Sequence, residues 1–109
     1  MSSIEERLEK LEFHHKLMMN MLDQTKREFD YIVIARGLSQ AEVEHFYNLC
    51  EQMNKKREAQ KAEKFVFYAP LFNDFKNQLH PKLSLIETID ACLKQGIYPE
   101  LMLQLKKNL

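Results

Sequence analysis

Apolar residues at the start of the chain recur every three or four positions. Ile4, Leu8, Leu11, His15, Met18 and Leu22 form a seam with the heptad spacing of a helix that pairs with another helix. Ser3, with Glu6 three residues on, has the spacing of a capping box, so the pattern predicts a helix over 3–22. From Ile4 to Glu12 the seam is narrow, flanked by Glu5, Glu6, Arg7, Glu9, Lys10 and Glu12. From Leu17 to Leu22 it broadens: Leu17, Met18, Met19, Met21 and Leu22 cover most of the circumference. A fully apolar girdle is costly in water. The second half is therefore expected to lie beneath the rest of the chain while the first half projects.

The remaining pattern is helical throughout. Thr25 and Glu28 have capping-box spacing, Phe29, Ile32 and Val33 follow at helical intervals, and Gly37 closes the segment. The β-branched and aromatic run Tyr31 to Ile34 would also suit a strand, but both end signals favour a helix. Ser39 and Glu42 open a third helix, with Val43, Phe46, Tyr47, Cys50 and Met53 on one face. Beyond Met53 the polar stretch 54–64 consists of good helix formers and reads as the solvated end of that helix. Pro70, just after the aromatic run Phe65 to Tyr68, suits the first turn of a helix beginning near Ala69, with Leu71, Phe72, Phe75 and Leu79 as its stripe. His80-Pro81 ends it. Ser84 with Glu87 predicts a fourth box, ahead of Ile86, Ile89, Cys92 and Leu93, and Gly96 stops that helix. Pro99 opens a last one carrying Leu101, Met102, Leu105 and Leu109.

These elements predict an all-α protein of five or six helices. One domain spans 1–109, with a coiled-coil-like helix over 3–22 projecting from a helical body over 25–109. Several landmarks together resemble the YhaI-like family of small, uncharacterised, all-helical proteins from bacilli. They are Ile4, Arg7-Leu8-Glu9, Leu11-Glu12, Gly37-Leu38-Ser39, Lys61-Ala62 with Phe65-Val66, Lys82-Leu83, Glu87-Thr88-Ile89, Gln95-Gly96-Ile97-Tyr98 and Glu100-Leu101-Met102. They are caps, stops and core residues, so the resemblance implies the fold and assigns no activity or ligand.

Composition narrows the function classes. With 16 basic and 16 acidic residues the formal net charge is zero, so nothing global points to nucleic acid or an anionic membrane. No apolar run, that of Tyr31 to Ala35 included, is long enough to span a bilayer, and Glu5 and Glu6 stand where a secretory leader is basic. A cytoplasmic protein is expected. Cys50 and Cys92 lie in helical apolar patterns without metal or redox spacing, as buried free thiols do.

Candidate chemistry is sparse. His14 and His15 point about 100° apart on a helix, and His45 and His80 stand alone, so no metal or cofactor is expected. His45 and Cys50 do not share a helix face, and no phosphate loop, nucleophile elbow or zinc motif occurs. The expectation is no enzyme. A helix-turn-helix-like segment lies within residues 29–50, with Gly37 in the turn and Ser39, Gln40, Glu44 and His45 as groove-facing candidates. Arg36 at an apolar position, and Glu42 and Glu44 facing phosphates, oppose a DNA-binding regulator. The sequence favours a self-associating module that binds protein, itself and another partner, through Ile4, Leu8, Leu11, His15, Met18 and Leu22. Dimer and trimer both fit the seam. Protonation of His15 within it is expected to weaken association on moderate acidification.

Overall fold

Local chemistry sets most helix ends. The computed structural model describes residues 3–22, 26–62 and 68–109. Among them are six helices and no strand: α1 (Ile4–Met21), α2 (Glu28–Ala35), α3 (Gln40–Ala62), α4 (Tyr68–Gln78), α5 (Leu85–Gln95) and α6 (Pro99–Lys106). Ser3 caps α1, its hydroxyl accepting from the Glu6 N–H at 3.1 Å. Leu22 is extended (ψ 137°), so α1 and α2 are separate helices. Gly37 takes φ +68°, letting its N–H reach the Ile34 carbonyl at 3.2 Å and the Leu38 N–H reach that of Val33 at 2.9 Å. That paired stop favours glycine because a side chain is strained at positive φ. Gly96 ends α5 in the same way, with Ile97 N–H on the Cys92 carbonyl at 2.9 Å.

The Ser39 box forms in full. Ser39 N–H donates to Glu42 Oε1 at 2.9 Å and Ser39 Oγ accepts from Glu42 N–H at 3.2 Å. The boxes predicted at Thr25 and Ser84 have other outcomes. Thr25 lies outside the described residues, and α2 begins at Glu28 behind Arg27, which gives no side-chain cap. Instead Gln95 of α5 accepts from the Asp30 N–H at 3.0 Å, while Lys94 pairs with Glu28 at 3.1 Å. Ser84 makes no side-chain cap hydrogen bond, and the Glu87 carboxylate that would reach back to its N–H is held by Arg36 at 3.1 Å. Of the aromatic run before α4, residues 65–67 lie outside the described residues.

The core belongs to α2–α6 and the loop before α5. Phe46 is its hub: it stacks on Phe29 at 4.8 Å between ring centroids and meets Phe75 edge-on at 6.3 Å. Around these rings pack Ile32, Leu49, Cys50, Met53, Leu71, Leu83, Ile89, Ala91, Cys92, Leu101, Met102 and Leu105, all buried. Helix α5 packs on α2 and α6, α6 on α3 and α4, and α3 on α4. Two stripe residues face water instead: Ile86, at 59% exposure, because the buried face of α5 is Thr88, Ile89, Ala91 and Cys92, and Leu109, at 49%, because α6 ends at Lys106.

No residue of α1 is buried. The expected burial of its second half does not occur: Leu17, Met18, Met21 and Leu22 are exposed, and only Met19 is partly covered. The physical reason is that the five other helices close their core on one another, so that it is complete without a side chain from α1. The molecule extends over 65 × 24 × 19 Å, and its 17.3 Å radius of gyration exceeds the ~13 Å of a compact chain this long.

The α2–α3 corner is tied to the α4–α5 loop by polar contacts. His80 Nδ1 accepts from the Lys82 N–H at 3.1 Å, which leaves Nε2–H facing the Glu42 carboxylate. Lys82 also approaches Glu42 at 3.8 Å. The Ser39 backbone N–H holds the Glu42 carboxyl below its ordinary range, helped by the Ser39 hydroxyl, Lys82 and His80 and opposed by desolvation. A lowered folded value means the folded state binds this proton less readily than the unfolded chain. The contribution is therefore present above about pH 4.5, the ordinary value, and lost as pH falls through the folded one. Glu42→Gln should be less stable than the parent in urea titrations at pH 7, with the gap closing at pH 3. An equal gap at both pH values would contradict this assignment.

Candidate functional site

Among the described residues, eight of the twelve large hydrophobic side chains left exposed lie on α1 or at its C-cap. Ile4 is 73% exposed, Leu8 52%, Leu11 62%, Met18 56% and Leu22 47%, and His15 is exposed among them. The helix thus carries the predicted seam along its length, uncovered by the chain's own body. Phe13, which seam spacing leaves out, is 59% exposed and lies on the opposite side of the helix, its ring 6.0 Å from that of His14. Its signal in the sequence is an aromatic residue at an otherwise polar position.

The nucleic-acid candidates Ser39, Gln40, Glu44 and His45 share the exposed start of α3. Ser39 spends both its N–H and its hydroxyl on the cap, and Gln40 donates to Glu44 at 3.2 Å. The cations flanking this corner, Arg36 and Lys82, are engaged by Glu87 and Glu42. Nothing here gathers free positive charge for phosphates.

A second feature lies where α3 passes the start of α6. Stretch 54–64 does continue the helix as far as Ala62, but it is not solvated throughout, because Arg57 has a side chain only 6% exposed. Its Nε donates to Asn54 Oδ1 at 3.0 Å and its Nη2 to Glu100 Oε2 at 3.0 Å, with Glu58 at 3.8 Å. An open hollow of about 320 Å³ adjoins it, lined by Asn54, Arg57, Glu58, Tyr98, Pro99 and Glu100. Tyr98 precedes Pro99 in a left-handed conformation (φ +43°, ψ 55°), uncommon for a bulky residue. Sequence reasoning missed this cluster because it joins residues more than forty positions apart. Chemically it is a clamp between α3 and α6, with one guanidinium committed to two exposed carboxylates.

The thiols are inert. Cys50 and Cys92 are buried and free, and burial pushes the Cys50 thiol up to about 12 and raises that of Cys92 as well. Among the described residues no cluster of three or more His, Cys, Asp or Glu could hold a metal ion. Nor is any helix among them long and apolar enough to cross a membrane.

The family described as "Protein of unknown function (DUF1878)" matches residues 1–109. The chain belongs to this family. The match runs through α1 as well as the body, so the uncovered helix is part of the family's domain and not an appendage to it.

The clamp predicts an asymmetry. Arg57→Ala removes a buried aliphatic stem and the hydrogen bonds of a charged group, and should lower unfolding free energy by about 1.5–3 kcal/mol. Glu100→Ala removes a partner that is 74% exposed, and should cost less than about 1 kcal/mol. Equal losses in urea titrations would contradict the clamp.

Proposed function

We propose that this protein acts as a self-associating helical module, without catalysis, whose contact surface is the seam of α1. The observation that supports it is the exposure of Ile4, Leu8, Leu11, Met18 and Leu22 on a helix to which the body adds no cover. A helix of 18 residues with none buried lacks the packing of an apolar face that supplies most helical stability in proteins. Pairing with further copies supplies the missing burial. In this reading the six-residue seam is the oligomer interface and the body is what the assembly presents to another protein in the cytoplasm.

A DNA-binding role for the α2–α3 corner is not advanced, because Arg36 and Lys82 are occupied by carboxylates and Ser39 by its cap. Leu8→Asp/Leu11→Asp places charges in the seam while leaving the core untouched. Light scattering should give the mass of a single chain for this variant and a multiple of it for the parent. The thermal unfolding of the two, compared at a concentration where the parent has dissociated, should coincide. Identical masses for both chains would refute the proposal.

A further inference from the structure

The seam's flanks carry information about how two copies meet. With Ile4, Leu11 and Met18 at d positions, and Leu8, His15 and Leu22 at a, the flanking e positions are Glu5, Glu12 and Met19. The g positions are Arg7, His14 and Met21. We infer that α1 meets α1 of a second copy in a parallel, in-register coiled coil fastened by Arg7 of each copy against Glu12 of the other. This rests on the self-association proposed above and specifies its geometry.

Three features of the helix support that geometry. The first is charge. In a parallel pair each g residue faces the e residue of the next heptad on the other chain, which sets Arg7 against Glu12 of the second copy. In an antiparallel pair e faces e and g faces g. With the two helices fully overlapped, Glu12 would then face Glu12 of the other chain, while Arg7 would lie against Met21 with no carboxylate partner. Arg7 is also free to bond outward. Its neighbours three and four positions away are Ser3, Ile4, Lys10 and Leu11, none of them acidic. No ion pair among the described residues engages Arg7 or Glu12.

The second feature is the change in breadth along the helix. Leu17, Met18, Met19, Met21 and Leu22 wrap its C-terminal end, while the N-terminal end has only a narrow strip. Parallel pairing brings broad end to broad end, so Met19 and Met21 at the flanks find apolar neighbours. Antiparallel pairing lays the methionines along a tip lined by Glu5, Arg7 and Glu12. The third is His15, the one polar residue of the seam. A single polar residue at an a position fixes register, because only the aligned arrangement lets it meet its own copy instead of Leu8 or Leu22. In register, one imidazole N–H can donate to the ring nitrogen of the other.

Disulfide trapping reads this geometry directly. A disulfide needs Cα atoms within about 7 Å, whereas antiparallel pairing separates the two copies of residue 4 by about 27 Å along the axis. Ile4→Cys should cross-link to itself under mild oxidation, at a concentration where sedimentation shows the parent assembled. Phe13→Cys, on the opposite side, should cross-link much more slowly, and the parent, whose two thiols are buried, should not cross-link. Glu12→Arg should weaken association about five-fold, and Arg7→Glu/Glu12→Arg should restore it. If the parent assembles but Ile4→Cys links only to Leu22→Cys, or to neither, the parallel arrangement is wrong while self-association survives. Failure of the double charge exchange to restore association would overturn the Arg7–Glu12 pairing. A parent that sediments as a single chain at high concentration would overturn both the geometry and the assembly.

Discussion

The ring of Phe46, stacked on Phe29 and met edge-on by Phe75, ties α2, α3 and α4 into one core that α1 does not enter. Interiors are packed as densely as organic crystals, so a core closed by its own side chains has no slot for another element. With Leu101, Met102 and Leu105 of α6 and Ile89 and Cys92 of α5 completing it, the body is satisfied without the first helix. The apolar side chains of α1 then remain in water unless something outside the body covers them. That constraint shapes the functional reading.

Around this core the polar contacts hold the connections. Glu42 serves the cap of α3 and the imidazole of His80 at once, so the corner between α2 and α3 is fixed against the loop before α5. Arg57 does similar work at the other end of α3, where it grips Glu100 in the first turn of α6. Gln95 lends its side-chain oxygen to the first turn of α2, which Arg27 leaves without a side-chain cap. Each contact satisfies a backbone or charged group that would otherwise depend on water. Together they tie the helices of the body to one another, and among the described residues no such contact reaches α1.

Much of this was legible from spacing, and the rest was not, for one physical reason. Ser39 with Glu42, Gly37, Gly96, Pro99 and His80-Pro81 act on backbone within a few residues, so sequence carries their meaning. Ser84 with Glu87 has the same spacing, yet Arg36 from another helix captures the carboxylate. The Gln95 cap and the Arg57 clamp depend equally on what folding brings near, and neither residue stands out in the chain. Spacing placed α1 and its Ser3 cap. It misjudged the methionine-rich end, because composition says a surface wants covering and not whether the same molecule covers it.

Hydrogen exchange across a range of protein concentrations tests the central claim most directly, because it reads the order of α1 separately from that of the core. The account predicts that protection of amides 8–20 rises with protein concentration, while that of the α3 core around Phe46 stays constant. Protection of α1 that equals the core's at every concentration, as in a helix folded back on its own body, would contradict it. So would an α1 left unprotected at every concentration.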